Sequence, residues 1–327
     1  MRRDGLDTRR SLLGFLAGVP VALRSFGTIA QQPNLLVLRS YFSPGTLSHN
    51  AAQHFAGEAT EKANGKFIVP VDAVHLTFRP FKQIAEASSL AHYYAPMGAN
   101  LDPVFRLSAL PMLVASFDEA EALLRIARPY YSAALAPYDQ ILLAADPWLP
   151  GAVWSKQPIQ SAADIDGSVF GLEEYADVAG WGATIERLGA RRASADANFV
   201  VASGYVANLG RYGVVYPNFI EVFIAAQLDF LTVNRHVFES LPNAQRQVLV
   251  DAGRDMEAAQ WKFCRELLEQ DYREMSGQGV SVITHPPQEL VAALRSGAQP
   301  DIQSWAQSMG SDGAEILNSY WRAIGRR

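Results

Sequence analysis

The stretch Trp154 to Ala190, WSKQPIQSAADIDGSVFGLEEYADVAGWGATIERLGA, decides the fold. Ala152 to Ser155 is too short for a helix, and Pro158 forces a turn because it lacks an N–H and holds Gln157 extended. Ser161 is placed to cap one turn through Ala162, Ala163 and Asp164, and Gly167 to supply a left-handed stop. Val169, Phe170 and Leu172 then form a brief apolar run of the kind buried in a parallel sheet. From Asp177, the positions Val178, Trp181, Ile185 and Leu188 recur at helical spacing, and Gly189 ends the helix.

Strand and helix alternate in the same way upstream. Leu35 to Leu38 reads as a strand, Ser48 to Ala63 as a helix ended by Asn64-Gly65, Phe67 to Val71 as a strand and Phe81 to Ala91 as a helix. Tyr93 to Ala95 is a third short strand, Phe117 to Leu135 a helix and Ile141 to Ala144 a further strand. Such alternation implies parallel strands with right-handed crossovers, and ligands bind beyond the carboxyl ends of such strands. Those ends nominate Tyr41 and Phe42, the loop from Val74 to Arg79, and Met97 to Asn100. Core packing is an equal reading of Tyr41 and Phe42, because pockets and cores draw on the same residues. Trp148 and Trp154 flank the next crossing.

Downstream, Ala193 to Phe219 lacks a clear pattern. If Gly204 to Tyr212 is helical, Tyr205, Asn208 and Tyr212 share a face with Arg211 close by, as a pocket wall or as an ordinary surface helix. Phe219 to Val233 should cross back. Asn243 begins a long helix with a stripe through Val248, Ala252, Met256, Ala259, Phe263 and Leu267. Val280 to Ile283 is a last strand, and terminal helices follow Pro286-Pro287.

Composition narrows the function. The 327 residues carry a net charge of -5 and six histidines, with no basic stripe beyond the first ten residues, which argues against nucleic acid. Arg2, Arg3, Arg9 and Arg10 precede an uncharged segment too short to span a membrane, and Thr28-x-Ala30 offers a cleavage site, so residues 1–30 read as an export signal. Thr8-Arg9-Arg10-Ser11-Leu12-Leu13 has the twin-arginine pattern, with a general secretory signal as the alternative. The single cysteine, Cys264, excludes an intrachain disulfide and reads as a small buried apolar residue.

Enzyme templates fail. Gly180-Trp181-Gly182 has Ile185 where a dinucleotide loop needs its third glycine, Gly65-Lys66 lacks the rest of a phosphate loop, and no Gly-x-Ser-x-Gly elbow occurs. His49 and His54 are five apart and do not share a helix face, and Glu173-Glu174 are adjacent, unsuited to an acid–base pair. Neither a metal-ligand set nor a cofactor motif is legible, and the expectation is a binding protein without cofactor or metal rather than an enzyme.

The order of Ser155-Lys156-x-Pro158-Ile159, Asp164-x-x-Gly167 and Gly189-Ala190 resembles the signature of the extracytoplasmic solute receptors of TRAP transporters, the DctP-like family. Leu110-Pro111-Met112-Leu113 with Phe117-Asp118-Glu119-Ala120, and Val233-Asn234 with Leu241-Pro242, are similar to further family segments. The resemblance implies an α/β, two-lobed periplasmic binding protein of Venus-flytrap form, with a mixed, mostly parallel sheet in each lobe, a long bridging helix and C-terminal helices. Lobe I would comprise residues 31–153 plus about 222–262, and lobe II 154–221 plus about 263–327. The implied function is capture of a small organic solute in the periplasm and its delivery to the membrane subunits of a TRAP transporter; a receptor that serves sensing, or an exported enzyme, are the alternatives. The resemblance further implies a carboxylate held by an arginine at the position of Gly171. With that side chain missing, either Arg211 or Arg79 reaches in, or the ligand is not an ordinary monocarboxylate and Phe170, Trp181, Tyr205 and Trp148 supply aromatic surface. The expected ligand set is therefore Tyr41, Phe42, Arg79, Met97, Asn100, Trp148, Phe170, Gly171, Trp181, Tyr205, Asn208 and Arg211.

Overall fold

The structure is a computed structural model that describes residues 34–74, 88–173, 176, 179–193 and 196–326. The chain opens with β1 (Asn34–Leu35), β2 (Leu38–Ser40), α1 (Leu47–Lys62), β3 (Phe67–Ile68), β4 (Val71–Ala73) and β5 (Leu90–Tyr94). The apolar run at Leu35 to Leu38 is broken in two: β1 pairs with β3 in a separate ribbon, while β2 enters the main sheet. Phe81 to 87 lie outside the described residues, and Leu90 and Ala91, expected to end a helix, are instead strand, buried between β2 and a later strand.

Two 3-10 turns, Ala95–Gly98 and Pro103–Ala109, lead to α2 (Phe117–Leu135), whose bounds match the sequence expectation. Its start is fixed locally: the Ser116 hydroxyl accepts the Glu119 N–H, and the Glu119 carboxylate accepts the Ala115 N–H, a reciprocal cap. Then come β6 (Gln140–Pro147), β7 (Gly151–Ser155), β8 (Val169–Leu172), α3 (Trp181–Glu186), β9 (Arg191–Arg192) and β10 (Phe199–Ser203). Between β7 and β8, Ser161 and Asp164 form a capping box around one turn, and Gly167 takes φ 71°. The remaining elements are α4 (Gly204–Leu209), β11 (Asn218–Ile220), β12 (Leu228–Asn234), α5 (Arg235–Ser240), α6 (Asn243–Gly277), β13 (Ser281–Ile283), α7 (Gln288–Ser308) and α8 (Ser311–Ala323).

Two sheets define two lobes. The first has the order β4-β2-β5-β12-β6, parallel across β4, β2 and β5 and antiparallel across β5, β12 and β6, so parallel pairing is half of it rather than most. The second has the order β13-β11-β7-β10-β8-β9, with antiparallel pairs on either side of β7. The chain crosses from the first sheet to the second between β6 and β7, and returns between β11 and β12.

Helix α6 is common to both lobes. Near its middle the Glu257 carboxylate accepts the Ala145 N–H of β6 at 2.6 Å and the Trp261 indole donates to the Ala145 carbonyl. Toward its end Met275 is buried with Trp154 and Phe219 beneath the second sheet. The buried stripe runs through Leu249, Ala252, Met256, Gln260 and Cys264, whereas Ala259 and Phe263 face outward, Phe263 being 46% exposed. Gly253 explains the rotation: a Cβ there would lie 3.0 Å from the Leu143 carbonyl oxygen, so the bare backbone is what lets this face approach β6. Helix α8 packs on α2, its Ile316, Leu317 and Tyr320 joining the core around Phe117 and Leu124. The sequence expectation grouped that helix with the second lobe; its apolar face is covered by the first.

Candidate ligand site

Gly171 sits in β8 between β10 and β9. A Cβ there would already stand 3.0 Å from Val200 Cγ1, so the absence of a side chain keeps space above the strand. A cavity of about 470 Å³ occupies that space, lined by Gly171, Glu173, Arg192, Arg211, Tyr212 and Tyr216 among others. Local geometry brings the last three there. The Ser203 hydroxyl caps α4 by accepting the Val206 N–H, and after Gly210 the backbone of Arg211 takes φ 53°, turning the chain back over β8. Tyr212 rests edge-on against buried Trp154 and tilts toward Tyr216, over whose ring Lys156 Nζ lies 5.9 Å from the centroid. Two guanidiniums, one carboxylate and phenol edges give the cavity a positive balance, and guanidinium groups stay charged at any physiological pH.

Of the twelve residues expected to bind ligand, Gly171 and Arg211 meet in this cavity. Asn208 joins Arg211 in a neighbouring cavity of about 570 Å³, where its amide donates to Glu274 at 3.3 Å. Tyr41, Phe42 and Trp148 gather at the strand ends of the first sheet, all buried, with Phe42 stacked on Trp148 at 6.5 Å. Met97 is half-buried against the first core, Asn100 is exposed, and Tyr205 packs with Val206 on that same core from the second lobe. Burial and neighbouring Asp271 push the Tyr205 phenol up.

Phe170 and Trp181 do not border this cavity. Phe170 is fully buried and stacks on Phe199, and Trp181 is buried with its indole N–H donated to the Ala109 carbonyl at 2.9 Å. β8 places position 170 on the face opposite Gly171, and Trp181, at the start of α3, packs in the same core. Arg79 lies outside the described residues. Sequence reasoning missed Arg192, Glu173 and Tyr216; the signal was the Arg191-Arg192 doublet after Gly189-Ala190, unread because β10, the strand that organises this region, had not been recognised.

Elsewhere, a cavity of about 680 Å³ lies behind the return crossing, bordered by Glu221, Phe223, His285 and Arg295. Burial pushes the Glu221 carboxyl up to about 7, even though it accepts the Tyr272 hydroxyl at 2.7 Å and the Phe223 N–H at 3.0 Å. Among the described residues no helix is long and apolar enough to cross a membrane.

Residues 215–308 match the family described as bacterial extracellular solute-binding protein, family 7, DctP. Among solved structures, the Bordetella pertussis receptor DctP6, which binds pyroglutamic acid, superposes with a TM-score of 0.79 at 19% identity, covering 88% of this chain and 100% of that one. Its counterpart DctP7, also with pyroglutamic acid, gives 0.77 at 20% identity over 88% and 99%. A TRAP periplasmic solute-binding protein from Chromohalobacter salexigens with bound D-glucuronate gives 0.73 at 15% identity over 87% and 99%. No curated protein matches. The fold is thus that of the two-lobed extracytoplasmic solute receptors. Within that class, the matched segment is similar to the DctP family of bacterial extracellular solute-binding proteins.

Proposed function

We propose that this chain is a periplasmic receptor that captures a small organic anion without transforming it and passes it to the membrane subunits of a TRAP transporter. The observation that carries the reading is the cavity over Gly171. Where the family resemblance implies an arginine on β8, Arg211 and Arg192 border the same space from neighbouring backbone, so the clamp is supplied from the turn after α4 and from β9 instead. A guanidinium gives a carboxylate two parallel charge-assisted bonds, and burying the anion without one would cost several kcal/mol. Glu173 and the two tyrosines suit a ligand that also offers hydroxyl or amide donors. Lobe I then comprises the chain through β6 with about 222–262, and lobe II the chain from β7 to 221 with much of the remainder. Lobe closure is driven by contacts the ligand makes only in the closed state.

Titration calorimetry against a panel of organic acids, pyroglutamate and D-glucuronate included, tests it. Binding of one panel member is expected, weakened about 10- to 100-fold by Arg211→Ala, as loss of a charged hydrogen-bond partner implies. Full affinity in both Arg211→Ala and Arg192→Ala would place the ligand elsewhere, and turnover of the bound compound would sink the receptor reading.

A further inference from the structure

The first sheet carries a polar cluster that solute capture does not use. In antiparallel register Asp229 of β12 stands opposite Asp146 of β6 on one side and Tyr94 of β5 on the other. His92, two residues before Tyr94, therefore shares their face. His92 Nε2 lies 3.0 Å from Asp146 Oδ1, and one donor atom from each of His92, Asp146 and Asp229 falls within 4.8 Å of the others. All three side chains are fully buried.

Their surroundings do not balance the charge. From α1 the Ser48 hydroxyl donates to Asp229 Oδ2, and His49 turns to the Ser40 hydroxyl of β2 at 3.2 Å. From α6 come the Cys264 thiol, whose proton goes to the Pro147 carbonyl, and Glu257, which is engaged by Arg128. Two carboxylate atoms of the cluster, Asp146 Oδ2 and Asp229 Oδ1, have no hydrogen-bond partner although they are sealed from solvent, while the His92 ring also bonds to the Ser48 backbone. Two carboxylates facing one imidazole leave a net negative charge even with the imidazole protonated, and a buried uncompensated charge costs several kcal/mol.

We propose that His92, Asp146 and Asp229 bind a divalent transition-metal ion, zinc or manganese, as a structural centre of the first lobe. Two carboxylates and a neutral imidazole bring a divalent ion to zero net charge. One nitrogen and two oxygens are a donor set that suits these ions better than calcium or sodium. Bonds of about 2.1 Å set ligand atoms roughly 3.0–3.5 Å apart, which this cluster reaches with small side-chain movements. The ion would tie β5, β12 and β6 together beneath Phe42, whose ring lies 5.2 Å from that of His92.

The test starts with the whole exported chain, assayed for metal by plasma mass spectrometry as purified. It is then unfolded with chelator and refolded with zinc, with manganese, with magnesium or with none. About one zinc or manganese per chain is expected, with a higher melting temperature after refolding in that metal than without. His92→Gln and the near-isosteric Asp229→Asn, checked by circular dichroism, should retain less than about a tenth of that metal. The proposal is overturned if the wild type is metal-free and melts identically whichever ion is present. Equal metal in wild type and both variants also overturns it. So does a metal-free wild type that Asp229→Asn stabilises, since protons would then be neutralising the cluster.

Discussion

Arg187 and Asp301 form a two-point ion pair, Nη1 to Oδ2 at 2.7 Å and Nη2 to Oδ1 at 3.0 Å, which fastens α3 to α7. The Thr184 hydroxyl donates to the same carboxylate at 3.1 Å, and Arg187 Nη1 also donates to the Gly297 carbonyl. Asp301→Asn breaks the pair and is expected to cost about 1–2 kcal/mol, the lower part of the range for charged hydrogen bonds, because the arginine is about one-third exposed. Urea unfolding of the variant measures it; an unchanged midpoint would mean that α7 is held by packing alone.

Trp181 closes against Gly151, where an added Cβ would come 2.3 Å from the indole Cζ3. Gly151→Ala should displace the ring, break its bond to Ala109 and destabilise the protein by about 1–3 kcal/mol, as overpacking of a dense core does. A shift in intrinsic fluorescence should accompany the lower melting temperature. A variant with native fluorescence and stability would show that the ring has room to yield.

The raised carboxyl of Glu221 makes stability depend on pH. The folded state holds this proton more tightly than the unfolded chain, so the contribution is full below the unfolded value near 4.5 and is lost as pH rises to about 7. A shift of this size corresponds to about 3 kcal/mol at most, less because the half-buried side chain retains contact with solvent. Glu221→Gln is expected to flatten the decline between those limits. An equally steep decline in the variant would assign it to other groups.

If a cation in the cavity matters more than the backbone position that delivers it, Gly171→Arg should recover part of the affinity lost in Arg211→Ala. Recovery would be incomplete, since the new side chain starts 3.0 Å from Val200. Calorimetry on the double variant decides it; no recovery at all would tie recognition to the Arg211 backbone turn.

Much of the scaffold was legible because local chemistry fixed it: the Ser116 cap sets the start of α2, and Pro158, Ser161 and Gly167 punctuate the path from β7 to β8. What escaped was set by distance. The run Phe199-Val200-Val201-Ala202 is an ordinary buried strand, but its place between β7 and β8 depends on residues about thirty to fifty positions away. The long helix turned to suit Gly253 against β6, a contact no helical periodicity encodes. His92, Asp146 and Asp229 share no sequence motif, and only strand register puts them together.

Helix α6 contains 35 residues, a rod of about 52 Å at 1.5 Å per residue. Between its bond to β6 at Cys264 and its burial at Asp271, Arg265 pairs with Asp118 and Glu121 of α2 and Leu267 and Leu268 pack on the first core. Any parting of the sheets must therefore bend the rod or peel these contacts, and their combined stiffness sets how readily the molecule gapes. Substitutions at its outward positions, Glu266, Glu269 and Gln270, would tune that compliance from well outside the cavity.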